Sequence, residues 1–210
     1  MTMRQLRWAA VAVLLAVAGC GGGLAPMSRD AVAAADTVMT AGTVTSPTGS
    51  IKGVSYAGLT DAYTGSYAGS PATVPPQWEH AVLLSNKTGA CGRSGAGKPY
   101  AANELTLRFT LVGYWNTVRQ LPPVEPPAAD LPVSFPATGT SVTTSDGVHR
   151  QLKAYAMKAK SNGAAGSDVV ATGGTVTFTR MDPGPGSYEG SYDVRFGRSR
   201  VTGRFGAPWC

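Results

Sequence analysis

The chain has 210 residues, of which 43% are hydrophobic and 14% charged, and its formal net charge is +6 at pH 7. This much apolar content with so little charge excludes wholesale disorder. Only two histidines and three cysteines are present, which excludes a metal site built from many Cys and His ligands. The 27 glycines and 15 prolines favour a protein with many turns.

Residues 1–20 have the layout of an export signal. Arg4 and Arg7 precede an apolar core of ten residues, Ala9–Ala18, which is too short to span a bilayer but has the length of a signal-peptide core. The core ends in Val17-Ala18-Gly19-Cys20. An ordinary secretory signal with a chance cysteine is the alternative interpretation.

The sequence around Cys20 resembles the lipobox of bacterial lipoproteins, in which an aliphatic residue and two small residues precede an acylated cysteine. The resemblance implies that residues 1–19 are cleaved off and that Cys20 carries the lipid. It also implies firm membrane anchoring, because two or more acyl chains bind stably where one does not. Since Gly21 rather than Asp follows the cysteine, the implied location is the outer membrane if the source is Gram-negative, and otherwise the cell membrane.

The mature chain is expected to begin with a tether. Loss of Arg4 and Arg7 leaves 16 lysines and arginines against 12 acidic residues, a formal net charge of +4. This charge is too mild for the dense basic surface of a nucleic-acid binder. Residues 20–50 are predicted to be the lipidated cysteine and a flexible tether, because Gly, Ala, Thr and Ser dominate there. Within the tether, Ser28–Met39 permits a short helix.

Residues 51–210 are predicted to form one all-β domain. In Glu104–Val112, apolar and polar residues alternate with a period of two, which is typical of a half-buried strand. Three later strands, Thr175–Phe178, Tyr188–Phe196 and Ser199–Phe205, are predicted to form an antiparallel meander with turns at Asp182–Gly186 and Gly197–Ser199. Further candidate strands are Ile51–Ala57, Ala81–Ser85, Leu131–Phe135 and Val148–Ala159, and the last of these also permits a helix.

Leu121–Pro136 contains six prolines, so we expect an extended crossover there rather than a central strand or a helix. A division into two domains at this segment is the alternative. With about eight strands and no strong helix, the domain is expected to be a single antiparallel sandwich or small barrel.

Cys91 and Cys210 are the two cysteines that remain after Cys20. Export places them in an oxidising compartment, so we predict a disulfide between them, with two free thiols as the alternative. The segments GTVTFTR, GSYDVRF and VTGRFGAPWC also resemble the C-terminal part of uncharacterised exported bacterial lipoproteins. Those proteins end in Gly-x-Phe-x-Ala-x-x-Cys, which Gly203, Phe205, Ala207 and Cys210 match. This resemblance implies a β meander and a disulfide but no activity.

Two motifs suggest catalysis or nucleotide binding without meeting its requirements. Gly92–Lys98, GRSGAGK, resembles a phosphate-binding loop, but Pro99 stands where Ser or Thr would hold magnesium. Ser145, Asp146 and His149 have the residue types of a catalytic triad, although Asp146-Gly147 is more typical of a turn. We therefore predict no catalytic residue, no metal site and no cofactor. His80 is expected to be an exposed side chain.

Three tyrosines, Tyr56, Tyr63 and Tyr67, lie in a segment rich in Gly, Thr and Ser. Aromatic faces with small polar neighbours are good contact surfaces for sugars or proteins. The alternative is that these tyrosines cover the edge of the sheet.

The last hairpin is predicted to have a basic outer surface. Val201, Gly203 and Phe205 are expected to face the core, so Arg200 and Arg204 on the same strand face water. Arg195 on the preceding strand is expected to face water too, with Arg198 in the turn and Asp193 as the nearby acid. Such a surface either keeps the sheet soluble or contacts an anionic ligand through Arg195, Arg200 and Arg204.

Two functions remain open. The first is a membrane-anchored lipoprotein of the envelope that acts as a non-enzymatic binding or structural module. Its partners would be the membrane, through the lipid, and an envelope glycan, an anionic lipid or a protein. The second is an envelope hydrolase that acts on sugar, peptide or ester. No nucleic-acid partner is expected for either.

Overall fold

The computed structural model describes residues 42–67, 77–95, 100–114, 130–182 and 186–210. The signal peptide at 1–19, the lipid site Cys20 and the helix expected at Ser28–Met39 lie outside these residues. Within the described residues there are twelve strands and one short helix, which confirms the all-β class. In chain order the elements are β1 (Thr43–Ile51), β2 (Val54–Ser55), β3 (Asp61–Tyr67), β4 (Gln77–Ser85), α1 (Ala90–Gly95), β5 (Leu105–Tyr114), β6 (Val133–Pro136), β7 (Thr138–Thr143), β8 (His149–Lys158), β9 (Val169–Val170), β10 (Gly173–Met181), β11 (Ser187–Phe196) and β12 (Ser199–Pro208).

The strands form one curled sheet. Its order is β6-β10-β11-β12-β1-β3-β4-β5-β8-β7, with β2 on β1 and β9 on β8, and the neighbouring strands run antiparallel. β6 and β7 lie at opposite ends of this order but are joined in the chain by Ala137. The Ala137 N–H donates to the carbonyl of Gly174, and its carbonyl accepts from the N–H of Ala154. The sheet therefore curls until its two ends meet at one segment.

The predicted number of about eight strands is wrong, because the structure has more. Of the two expected architectures, the single curled sheet rules out the two stacked sheets of a sandwich and leaves the small barrel as the remaining prediction. The extra strands are short or weakly patterned, such as the two-residue β2 and β9. β6 is also short and forms the last four residues of the proline-rich segment, where the sequence indicated both a crossover and a candidate strand at Leu131–Phe135. It lies at one end of the strand order, so the expectation that this segment is no central strand is met. β7, which follows it, is a strand that the sequence did not indicate.

The sheet begins earlier than expected. β1 starts at Thr43, so residues 43–50 of the predicted tether belong to the sheet. The strand was hard to recognise because only Val44 and Ile51 are buried and most of the residues between them are exposed. With so few buried positions, the strand shows no alternation of apolar and polar residues.

The C-terminal meander and the ambiguous segment at Val148–Ala159 are both strands in the structure. β10, β11 and β12 pair in sequence as consecutive antiparallel strands. The turn predicted at Asp182–Gly186 includes residues 183–185, which lie outside the described residues. The ambiguous segment forms β8, which lies between β5 and β7.

Side chains fill the inside of the curled sheet. Phe109 packs against Phe205 and Tyr192, with ring centroids 5.7 and 5.5 Å apart, and Phe178 packs against Phe205 at 5.7 Å. Gly203 faces this interior because a Cβ there would lie only 2.5 Å from the Tyr192 hydroxyl oxygen. The interior is therefore a packed aromatic core.

Candidate anion-binding surface

The β11–β12 hairpin places three arginines on the outer face of the sheet. Arg195 lies directly opposite Arg200, and Arg204 lies opposite Ser191. Val194, Val201 and Phe205 on the same strands are buried inside, so the alternation of a β-strand turns the arginines outward. All three arginines are exposed. We call the surface formed by Arg195, Arg200 and Arg204 the basic face.

Asp193 offsets part of the positive charge. Arg195 and Arg200 lie directly opposite each other on neighbouring strands. Like charges in this arrangement repel and are destabilising. The Arg200 Nε donates to Asp193 Oδ1 at 2.7 Å, and an Nη donates to Oδ2 at 2.5 Å. These hydrogen bonds and the charges of Arg200 and Arg195 lower the pKa of Asp193 more than its slight burial raises it. The carboxylate thus stays ionised and neutralises Arg200 at neutral pH.

Arg195 and Arg204 keep their charge available. Neither forms an ion pair with another residue in the described part of the chain. Hydroxyl side chains surround them: Arg204 is flanked by Thr45 on β1 and Ser191 on β11. The planar, multi-donor guanidinium group of arginine matches phosphate and carboxylate oxygens. The basic face therefore has two available arginines, a third held by Asp193, and neutral hydrogen-bonding groups around them.

The structure contains the predicted disulfide between Cys91 and Cys210, with the two Cα atoms 5.6 Å apart. Cys91 lies in α1, which packs against the outer face through Ala90, Tyr63 and Leu83. The N–H of Cys210 also donates to the carbonyl of Thr64 at 2.8 Å. The disulfide thus fastens Cys210 to α1, and the hydrogen bond fastens it to β3.

The sequence did not reveal a buried carboxylate beside this disulfide. Glu104 is fully buried and accepts hydrogen bonds from the Ser85 hydroxyl at 2.5 Å, from Arg93 at 2.9 Å and from the N–H of Ala101 at 2.5 Å. Asp61 accepts the N–H of Ala90 at 2.9 Å, at the start of α1. The network ties Ser85, Arg93 and Ala101 to one carboxylate and fixes the start of α1 to Asp61.

Asp146 forms a structural network rather than part of a triad. It accepts from the Thr144 hydroxyl at 2.6 Å and the N–H of Val148 at 3.0 Å, and it pairs with Arg150 at 2.9 Å. Burial raises the pKa of Asp146, but these hydrogen bonds and the charge of Arg150 outweigh it, so the pKa lies below its usual value. The Arg150 side chain is completely buried.

The other two residues of the triad pattern have separate partners. His149 Nδ1 is hydrogen-bonded to the Thr143 hydroxyl at 2.9 Å, and its ring stacks on Tyr114 at 5.4 Å. The N–H of Ser145 donates to Asp130 at 3.0 Å. Because each group is held elsewhere, the structure does not bring Ser145, Asp146 and His149 together as a triad.

The expectation that His80 is exposed is wrong. His80 is only 5% exposed, because it lies on β4 with the parity of the buried Val82 and Leu84. Its ring lies 5.9 Å from that of Tyr188 and 6.0 Å from that of Trp209.

The structure describes only part of the glycine-rich segment Gly92–Lys98 and of the tyrosine-containing segment. The first four residues of Gly92–Lys98 belong to α1, and residues 96–99 lie outside the described residues. Tyr56 and Tyr63 are buried, so they do not form an exposed contact surface. The side chain of Tyr67 is not among those described.

Comparisons with known proteins found no match: no family model, no curated protein and no solved structure is similar to this chain. Within the described residues, the helix is neither long nor apolar enough to cross a membrane.

Proposed function

We propose that the protein is a lipid-anchored binding module of the bacterial envelope that contacts anionic material through the basic face. The observation that carries this proposal is the outward placement of Arg195 and Arg204 without ion pairs among the described residues, beside the Arg200–Asp193 pair. The packed interior and the separate partners of Ser145 and His149 support a binding role over the alternative of an envelope hydrolase acting on sugar, peptide or ester.

The proposed anchor at Cys20 makes weak contacts effective. Thr43, the start of the sheet, follows Cys20 by 23 residues, so the chain keeps the domain within at most about 80 Å of the lipid. Confinement near a surface raises the local concentration of the domain there. Each arginine near an anionic surface typically raises the affinity about fivefold. At the raised local concentration, contacts of this strength are sufficient for binding.

The chemistry of the ligand is a phosphate or carboxylate group. Head groups of anionic phospholipids and phosphorylated or acidic polysaccharides both present such groups in an envelope. A protein partner with an acidic surface would use the same arginines. These contacts are expected to weaken with salt, because exposed charges are screened within a Debye length of about 8 Å at physiological ionic strength.

Charge reversal tests the proposal. The triple variant Arg195→Glu, Arg200→Glu and Arg204→Glu is made in the chain from Gly21 to Cys210, which carries no lipid. Binding to phosphatidylglycerol vesicles and to purified acidic envelope glycan is measured at low and physiological salt. A variant with Lys87, Lys153 and Lys160 changed to Glu is the control, since these exposed lysines carry the same charge and lie away from the hairpin.

The parent and the lysine control are expected to bind at low salt, and the arginine variant is expected to lose most of that binding. The vesicle and glycan arms distinguish the two sources of anionic groups. A parent that binds neither ligand at low salt, or an arginine variant that binds as well as the control, contradicts the proposal.

The anchor is tested separately with Cys20→Ala in the full chain. The variant is expected to leave the membrane fraction and to lose fatty-acid labelling. Continued membrane partitioning with an unchanged label would show that the lipobox interpretation is wrong.

A further inference from the structure

A pocket of about 260 Å³ opens at one end of the curled sheet, and none of the three arginines of the basic face lines it. One side is the hairpin formed by β1 and β2, and the other is the end of β8 with the segment that leads into β9. β1 and β8 are not neighbours in the sheet. The pocket therefore lies across the end of the curled sheet, a position where sheets that curl on themselves hold small ligands.

The floor of the pocket is apolar. Ile51, Tyr56 and Met157 line it and are 3–4% exposed. The Tyr56 hydroxyl donates to the carbonyl of Met157 at 3.3 Å, which ties the segment after β2 to β8. Burial raises the pKa of Tyr56 to about 12, so this group stays neutral. The floor thus offers apolar contact, with its one phenol hydroxyl already bonded.

The rim of the pocket is positive. Lys52 and Lys158 line it on opposite sides and are exposed. Neither lysine forms an ion pair with any residue that the structure describes. The acid in the lining, Asp168, is held by Arg108 at 3.0 Å. An apolar floor with two available ammonium groups is complementary to a molecule with an apolar body and an anionic head.

Lys52 occupies a turn position that does not suit a lysine. Lys52 and Gly53 have φ values of 49° and 78°, as in the two-residue turn that favours Asn-Gly or Asp-Gly. A lysine in this left-handed conformation is strained relative to asparagine. A strained residue on the rim of a pocket points to a use for its side chain.

Backbone contacts hold the opposite wall of the pocket in place. Val169 pairs with Ala156 in the sheet. A Cβ on Gly166 would lie 2.0 Å from the carbonyl oxygen of Lys158, so this segment is pressed closely against β8. A preformed wall requires little ordering when a small molecule binds.

We propose that this pocket binds a small amphipathic carboxylate, with its apolar part on Ile51, Val54 and Met157 and its carboxylate between Lys52 and Lys158. A pocket of 260 Å³ holds about nine water-sized groups at roughly 30 Å³ each. Octanoate, with an eight-carbon chain, is therefore a suitable probe.

The test uses the chain from Gly21 to Cys210 with its disulfide formed, since every residue of the described core and of the pocket falls between 44 and 207. Octanoate is titrated in and followed by methyl NMR. Signals of Ile51, Val54 and Met157 are expected to shift in a saturable way. Octanol and octylammonium have the same chain length without the negative charge, and both are expected to bind about tenfold more weakly.

Lys52→Asn separates binding from folding. Asparagine suits the turn better, so the thermal midpoint is expected to stay the same or rise. Octanoate affinity is expected to fall about fivefold, and Lys158→Gln is expected to cause a similar fall. Lys153→Gln, an exposed lysine elsewhere on β8, is the control and should leave the affinity unchanged.

Three results would overturn the pocket proposal: no saturable binding of octanoate, equal binding of octanol, or unchanged affinity in both lysine variants. The arginine variant of the basic face is expected to bind octanoate like the parent. Loss of vesicle or glycan binding can thus be told apart from loss of the pocket ligand.

Discussion

The protein uses the same ion pair, arginine with aspartate, in two different environments. Arg150 and Asp146 lie 2.9 Å apart, and the arginine side chain is completely buried. Arg200 and Asp193 lie 2.5 Å apart on the outer face, where the arginine side chain is 59% exposed. In both pairs the pKa of the aspartate is lowered.

The difference in exposure decides what each pair does. A buried charge cannot be solvated if its partner is lost, so breaking a buried pair is strongly destabilising. An exposed pair is screened by water and salt and adds little to stability. We infer that Arg150–Asp146 is structural, whereas Arg200–Asp193 sets the charge of the basic face.

The largest effect on stability is expected from Asp146→Ala. Removal of the carboxylate takes the Asp146 ion pair away from the buried Arg150, and we expect a loss of about 3–5 kcal/mol in the free energy of unfolding. Urea denaturation measures it. Asp193→Ala is the matched control and is expected to leave the unfolding midpoint nearly unchanged. Equal losses in the two variants would show that exposure does not separate the pairs.

Removal of the disulfide is expected to lower stability without changing anion binding. The double variant Cys91→Ser, Cys210→Ser is expected to lose about 2–4 kcal/mol of stability, because the unfolded chain gains conformational freedom when the crosslink is absent. The basic face is expected to keep its affinity for anions, since its residues are not held by this bond. Mass spectrometry of non-reduced peptides should show the two cysteines linked, and free thiols at both positions would refute the bond.

Low pH is expected to weaken the buried Arg150–Asp146 pair, because it protonates the carboxylate of Asp146. A carboxylate with a lowered pKa in the folded state stabilises the protein above its unfolded pKa of about 3.9 and loses that contribution as the pH falls through the folded pKa. We therefore expect stability to drop below about pH 4 in the parent. Asp146→Asn should show a shallower drop, and identical pH profiles would rule out this role.

Two tyrosines provide the smallest expected effects, with opposite signs. The Tyr192 hydroxyl is buried and has no hydrogen-bond partner among the described residues, and burial raises its pKa. Tyr192→Phe is expected to be neutral or to stabilise by up to about 1 kcal/mol. Tyr56→Phe loses the bond to Met157 and should cost about 1 kcal/mol. Thermal denaturation of both variants checks the signs, and a clear loss in Tyr192→Phe would reveal a hidden partner.

Strict alternation and residue counting predicted part of this structure. The period of two in the last strands placed Arg195, Arg200 and Arg204 on one face, and two remaining cysteines predicted the Cys91–Cys210 bond. The first prediction depends on a local pattern, and the second depends on there being only one possible pairing. The start of β1 was missed because its middle is exposed and polar.

Apart from the disulfide, features that join distant parts of the chain were not predictable. Arg150 lies on an inward position, but nothing in its local sequence distinguishes it from an exposed arginine. The pocket combines residues 51–56 with residues 156–169, which meet only because the sheet curls. The joining of the sheet ends at Ala137 likewise depends on hydrogen bonds to residues 17 and 37 positions away.

The central claim is that the basic face is where anions bind. An amide NMR titration of the chain from Gly21 to Cys210 with inorganic tripolyphosphate, at low salt, tests it most directly. We predict that the largest shifts fall on β11 and β12 around Arg195, Arg200 and Arg204. Asp193→Asn should bind more tightly, because it releases Arg200. No shifts at low salt, or shifts centred elsewhere with unchanged binding in Asp193→Asn, would contradict the account.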